Sequence, residues 1–228
     1  MSQVACILLP HYYVPTAPKV AVQVDPSLLR ICTNYAEVVE VVEAGQIFLD
    51  LSRLPDSSTV MPSLLKEIVL TTDLQPALGW GVNRWIAKMA ARQASTRQLP
   101  ASTIVPPGHE AAFLKPLPIR WAEEIPEEVC RRLEQLGIHT WGQVSSVPAH
   151  YLLAQAGLEA GNRLLRLAQG EDPRPLGQDL PSLDRGQPDR TMHLRNLAGG
   201  YGTRPLPGCP ARSRRLGGKQ TGPDPDRT

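Results

Sequence analysis

Val38-Val39-Glu40-Val41-Val42-Glu43-Ala44-Gly45-Gln46-Ile47-Phe48-Leu49-Asp50-Leu51 is the stretch whose reading decides the fold. Val38 to Glu43 is rich in β-branched residues, which suit a pleated, half-buried strand. Ala44-Gly45 supplies a turn, and Gln46 to Leu51 returns as the second arm of a hairpin. A hairpin makes its sheet at least partly antiparallel. The alternation of strands and helices around it therefore indicates an α+β sheet, with helices on one face, rather than a fully parallel one.

Upstream, Val4 to Leu9 reads as a buried strand that stops at Pro10, and Lys19 to Val24 as a second short strand. Asp25-Pro26-Ser27 starts a helix, because proline is tolerated in the first turn where its missing N–H costs nothing. Leu28, Cys32 and Tyr35 then share one helical face. Downstream, Pro62 to Thr71 is expected to be helical, with Leu64, Leu65, Ile68 and Val69 inward. Ala77 to Val82 reads as a strand with two glycines, Asn83 to Arg97 as a helix capped by Asn83, and Ser102 to Val105 as a strand.

The character changes at Lys115-Pro116-Leu117-Pro118. Beyond it the pattern predicts only short helices over 126–136, 140–145, 148–156 and 158–169, with Gly137, Gly157 and Gly170 as helix stops. From Glu171 onward there are nine prolines, nine glycines and little apolar periodicity, so disorder is expected. The organisation read from sequence is a domain over 1–115, a small all-helical domain over 116–172 and a Gly/Pro/Arg-rich tail over 173–228.

Composition narrows the function. No apolar run reaches membrane-spanning length and Val4 to Leu9 lacks a basic flank, so a cytoplasmic location without membrane contact is expected. Cys6, Cys32, Cys130 and Cys209 form no C-x-x-C pair, and His11, His109, His139, His150 and His193 are dispersed. Neither set has zinc-ligand spacing. Charge is more telling locally: six basic residues and a single acid, Glu110, lie between Arg84 and Arg120, while acids dominate from Glu37 to Asp73. Arg84, Lys88 and Arg92 stand at i, i+4 and i+8 and so share one face of their helix, where they could meet phosphates. Gly157-Leu158-Glu159-Ala160-Gly161-Asn162-Arg163 has the form of a hairpin entering a helix, with Arg166 adding charge. Backbone N–H groups at such a helix start can hold a phosphate, and glycine permits close approach. Gly157 reads equally well as an ordinary helix stop.

Four segments, in order, resemble the Y-family (UmuC/DinB-like) translesion DNA polymerases. Ala77-Leu78-Gly79-Trp80-Gly81-Val82-Asn83-Arg84-Trp85-Ile86-Ala87-Lys88-Met89-Ala90 is similar to that family's S-x-G-I-x-x-N-K-x-x-A-K-I-A segment. Phe113 to Ile119 resembles the palm-to-thumb junction, Leu133-Glu134-Gln135-Leu136-Gly137-Ile138-His139-Thr140-Trp141-Gly142-Gln143-Val144 the thumb motif L-x-x-L-G-I-x-T-I-G-D-L, and Ala168-Gln169-Gly170-Glu171-Asp172-Pro173 the thumb ending. The resemblance implies a polymerase-palm-like sheet over 1–115 and a thumb of helix–hairpin–helix character over 116–172. It also implies that Lys88 matches a lysine contacting the triphosphate.

The departures are as informative as the matches. The family holds two Mg2+ ions with one acid at the end of the first strand and an acid pair in the later hairpin. Here those positions fall at or beside Pro10-His11 and on Gly45-Gln46, which supply no carboxylate. Only 34 residues separate Pro10 from Gly45, too few for most of the family's fingers, and the tail does not read as its last domain. These losses most resemble the catalytically silent, ImuB-type branch of mutagenesis accessory proteins, or a truncated product. The expectation is therefore DNA binding without sequence preference, on damaged or primer–template DNA, through Arg84, Lys88, Arg92, Gly157, Gly161, Arg163 and Arg166. It includes no catalytic residue, metal or cofactor, and the further partners implied are an active polymerase or a sliding clamp. The rival readings are an active polymerase drawing on Asp25, Glu43 or Asp50, a protein adaptor without DNA contact, and a non-functional fragment.

Overall fold

Strand β1 (Val4–Leu8) runs through the middle of a five-stranded sheet, and its neighbours explain its composition. The sheet order is β2 (Val39–Val42), β3 (Gln46–Asp50), β1, β4 (Ala77–Gly81) and β5 (Ala101–Ile104). Strand β1 is antiparallel to both β3 and β4, β2 and β3 form the antiparallel hairpin, and β4 and β5 are parallel. A central strand covered on both faces needs apolar residues at every position, and all five of β1 are buried. The computed structural model describes residues 3–9, 24–42, 45–54 and 57–176.

Alternation along the strands assigns the two faces. Ala5 and Ile7 of β1, Ile47 and Leu49 of β3 and Leu78 and Trp80 of β4 pack with α1 (Pro26–Tyr35) and α2 (Ser57–Thr72), through Leu28, Ile31, Cys32, Met61, Leu64 and Ile68. Val4, Cys6 and Leu8, with Phe48 and Ala77, face the other way onto Ala87, Ala91 and Ala94 of α3 (Arg84–Ser95). The mixed α/β sheet expected from the hairpin is present, but its helices cover both faces rather than one. The reason is steric. A Cβ at Gly79 would stand 2.1 Å from Ala87 O and Ala91 N, so α3 rests directly on the β4 backbone. The two glycines of β4 and the alanines of α3 are what make that approach possible.

Helix boundaries follow the local chemistry. Asp25 caps α1 by accepting from Ser27 N at 2.8 Å, with Pro26 in the first turn. Asn83 caps α3 by accepting from Ile86 N at 2.9 Å. Helix α2 begins at Ser57, earlier than proline 62 suggested, so Pro62 sits inside it on the exposed side. A short helix the sequence pattern did not reveal, α4 (Glu110–Leu114), precedes the junction, followed by a 3-10 turn at Ile119–Trp121. The all-helical part then matches expectation within a residue or two: α5 (Glu127–Gln135), α6 (Trp141–Ser146), α7 (Ala149–Ala156) and α8 (Leu158–Ala168). Gly137, Gly157 and Gly170 end helices with φ of 81°, 81° and 84°, in the left-handed region that glycine enters without strain.

The helical part is not a separate bead. Trp85, Ile86, Met89 and Ala90 of α3 share one core with Leu114, Leu117, Ile119, Leu133, Trp141, Leu164 and Leu167. Trp85 and Trp141 meet edge to face at 5.2 Å, and Trp85 Nε1 donates to Leu167 O at 3.0 Å. Asn83 Nδ2 donates to Gly170 O at 2.7 Å. Helix α3 thus packs against the sheet on one side and the helical part on the other.

The expected loss of order from Glu171 is corrected for its first six residues. Asp172 has a side chain 2 % exposed, paired with Arg174 at 2.9 Å, and Leu176 packs against the α3 face of the sheet. A carboxylate with a bidentate guanidinium partner fixes a segment that composition alone would leave free. The tail from 177 to 228, the strand residues expected over 19–23, and Pro10, His11, Glu43 and Ala44 lie outside the described residues.

Candidate nucleic-acid interface

The hairpin that would carry a metal-binding acid pair places Gly45 and Gln46 at one end of the sheet. Leu9 N donates to Gly45 O at 2.8 Å, so the exit of β1 runs beside that turn, and Leu8 lies opposite Gln46 in register. Gly45 has φ of 84° and no side chain. Gln46 is buried, and its amide nitrogen points at Cys6 Sγ, 3.7 Å away. Burial pushes the Cys6 thiol up to about 12, the Gln46 contact only partly opposing it, so this sulfur is a neutral packing group.

The described acids of the sheet and of the start of α1 are committed elsewhere. Asp25 caps α1, and Asp50 accepts from Ser52 N at 2.9 Å at the far end of β3. Glu40, on the α3 face of β2, pairs with Arg84 at 2.6 Å. Among the described residues no group of three or more His, Cys, Asp or Glu could hold a metal ion. A pair of Mg2+ ions demands near-octahedral oxygen ligands with negative charge. A glycine, a thiol-facing amide and three occupied acids do not fit that requirement.

The basic stripe is where structure departs most from expectation. Arg84, Lys88 and Arg92 do share a face, but it is buried: Lys88 is 5 % and Arg92 8 % exposed. Arg84 lies over the Phe48 ring, 4.6 Å from its centroid, as well as on Glu40. Lys88 Nζ donates to Glu123 Oε2 at 2.9 Å and to Glu124 Oε1 at 3.0 Å. Arg92 pairs with Glu123 and donates to the Trp121 carbonyl. Lys88 and Arg92 face the turn between the 3-10 helix and α5 rather than solvent, while the half-buried Arg84 faces the sheet at Glu40 and Phe48. Burial pulls the Arg92 guanidinium down from its usual value, with Glu124 opposing. Burial also pushes Glu124 up, but Lys88, by charge and hydrogen bond, outweighs it and holds this carboxyl below the usual range. For Glu123, burial and then the adjacent Glu124 charge outweigh its cations, raising it to about 7.

The glutamates and Glu40 are the functional partners that sequence reading missed. Two signals were present. Glu40 interrupts a run of valines on the face shared with Phe48, and Glu123-Glu124 follows directly on the basic segment ending at Arg120.

The second basic group is arranged differently. Gly157 ends α7 and starts α8 with a single residue, and a Cβ there would meet nothing within 4 Å. No side chain caps α8, so its first-turn N–H groups open outward beside Leu158, which is 72 % exposed. Gly161 has a packing role instead: a Cβ there would stand 2.8 Å from Leu153 Cδ2, so glycine lets α7 and α8 pack closely. Arg163 is exposed and donates to Glu124 O at 3.0 Å. Arg166 is exposed and lines an open cleft of about 640 Å3 with Arg84, Glu110 and the segment Gln169–Leu176. A groove of about 490 Å3 beside Gly157 is lined by Glu123, Glu124, Pro126, Val129, Glu159 and Arg163. Glu159 in the first turn of α8, and Glu127 and Glu128 in that of α5, put acid near both helix starts.

The sequence is similar to enzymes named DNA polymerase IV. That of Neisseria meningitidis serogroup A is 27 % identical over 168 residues, covering 72 % of this chain and 47 % of the relative. That of Leptospira interrogans is 24 % identical over 156 residues, covering 67 % and 42 %. The chain therefore spans about half the length of the curated relatives it matches. Among solved structures, DinB from Sulfolobus solfataricus superposes with a TM-score of 0.56 at 21 % identity, covering 65 % of this chain and 44 % of that one. A DinB-family error-prone DNA polymerase from the same organism gives 0.59 at 17 % identity, covering 76 % and 68 %. The mixed α/β fold matches the palm-like fold of Y-family polymerases. No protein-family model matches the chain. Among the described residues no helix is long and apolar enough to cross a membrane.

Proposed function

We propose that this chain is a polymerase-like DNA-binding factor of translesion repair that does not itself join nucleotides, akin to the ImuB-type accessory proteins. The observation that carries the reading is the sheet end where Gly45 and the buried Gln46 stand beside the exit of β1, while Asp25, Glu40 and Asp50 each serve a local structural bond. Phosphoryl transfer without seated divalent cations lacks the charge that would stabilise its transition state.

DNA contact is assigned to the outward-facing set. The α8 start at Gly157 offers uncapped N–H groups, and Arg163 and Arg166 add positive charge one turn apart. Such contacts address phosphate and not bases, so binding is indifferent to sequence and falls steeply with salt. Gly161 supports this site by letting the helices close, and Arg84, Lys88 and Arg92 are held away from solvent by Glu40, Glu123 and Glu124. The test is fluorescence anisotropy with a labelled primer–template oligonucleotide across a salt series, with and without Mg2+. Salt-dependent binding that Mg2+ does not tighten supports the reading, whereas no binding at low salt contradicts it.

An adaptor without DNA contact is the second reading. The burial of Lys88 and Arg92 favours it, since this removes two of the five cations a DNA surface was expected to use. An active polymerase or a sliding clamp is the partner class for either reading, and pulldown with and without nuclease separates the two.

A further inference from the structure

Glu123 and Glu124 sit in a turn, not in a helix or strand, yet they meet three separate parts of the molecule. From α3 come Lys88 and Arg92. From α8 comes Arg163, on the Glu124 carbonyl. From beyond α8 comes Arg174, 3.4 Å from Glu124 Oε1 and 2.9 Å from Asp172. The same two glutamates line the groove into which the α8 start and Arg163 open. Glu124 Oε2 is buried without a hydrogen-bond partner among the described residues, so one carboxylate oxygen is held there at a desolvation cost.

We propose that the Glu123–Glu124 turn is an autoinhibitory contact: it covers Lys88 and Arg92 and puts negative charge in the groove beside Gly157 and Arg163, so that a phosphate backbone is fully admitted only when the turn is released. The cations sit on a regular helix packed against the core, whereas the two carboxylates sit on a turn outside any helix or strand, between Ala122 and Ile125, which are anchored in the core. Beyond that anchorage Glu123 and Glu124 are tied by their ion pairs and by Arg163 on the Glu124 carbonyl, contacts that a competing phosphate can exchange, so these two residues are the half that can move. Released, it changes the groove from acid-lined to one bordered by Lys88, Arg92 and Arg163. This rests on the DNA-binding reading above and adds a gate to it.

The test compares the full chain with Glu123→Gln/Glu124→Gln in anisotropy titrations of the same labelled oligonucleotide. The double variant binds about tenfold tighter, with a salt slope steeper by about 1–2, as one or two further phosphates become neutralised. Adding Lys88→Gln returns affinity toward that of the parent. The charge-matched variant Glu127→Gln/Glu128→Gln, on the exposed start of α5, gains less than about threefold, the long-range effect of charge alone. An unchanged double variant, or an equal gain in the charge-matched one, overturns the gate while leaving Arg163-dependent binding intact. Loss of binding in every chain overturns the DNA reading itself. A second measurement needs no variant: hydrogen exchange of residues 122–125 in the parent chain must quicken when the oligonucleotide saturates it, with α3 unchanged. Slower or unaltered exchange there contradicts the gate.

Discussion

Two helices of this molecule carry basic residues at helical spacing, and the fold treats them in opposite ways. On α3, Lys88 and Arg92 are buried and neutralised by glutamates from a distant turn. On α8, Arg163 and Arg166 are exposed at the mouth of a groove and an open cleft. Spacing alone cannot separate the cases, because a charge pattern records which face is shared and not what that face meets. Surroundings decide: α3 lies between a sheet and a helical layer, α8 at the edge of one.

The contrast is broken or sharpened most by stability. Lys88→Ala removes the cation that holds Glu124 ionised, and losing one partner of a buried pair costs about 3–5 kcal/mol. Arg166→Ala, with no ion-pair partner among the described residues, changes stability by less than about 0.5 kcal/mol. Urea unfolding midpoints compare the two, and similar losses would erase the distinction. The second effect is on binding. Arg163→Glu/Arg166→Glu weakens oligonucleotide affinity by about tenfold or more and flattens the salt slope by about 1–2. Arg84→Gln, which loses a contact to Glu40 and not to phosphate, leaves the slope of the folded protein unchanged.

A smaller effect comes from pH. Glu123, raised in the folded state to about 7, contributes stability that is full below about 4.5 and is lost as pH rises through about 7, since the fold prefers this carboxyl protonated. The stability of the parent chain should therefore fall relative to Glu123→Gln across that window. A flat difference would mean that Lys88 and Arg92 keep Glu123 charged throughout.

Much of the fold was legible because it depends on local signals. The valine-rich arm and Gly45 marked the hairpin, Asp25 and Asn83 marked helix starts, and the three stop glycines marked ends with left-handed φ. What could not be read depended on contacts across the chain. Gly79 and Gly81 read only as two glycines within a strand, but they are where α3 lands on β4 and covers the second face. The proline at 62 looked like a helix start, yet the helix begins five residues earlier. Composition suggested that order would end at Glu171, but one aspartate–arginine pair and Leu176 carry it to 176. The site was half legible for the same reason. The hairpin position of Gly45-Gln46 could be read from the sequence, whereas the counter-charges Glu40, Glu123 and Glu124 lie 31 to 44 positions from the α3 cations they neutralise.

The proposed reading rests on a palm-like sheet whose described residues include no acid cluster able to seat divalent cations. Primer extension by the purified chain on an undamaged template with Mg2+ and all four nucleotides measures that directly. The account predicts binding of the primer–template with no elongation at any Mg2+ concentration. Template-directed addition of even one nucleotide, abolished by chelating the metal, would contradict it.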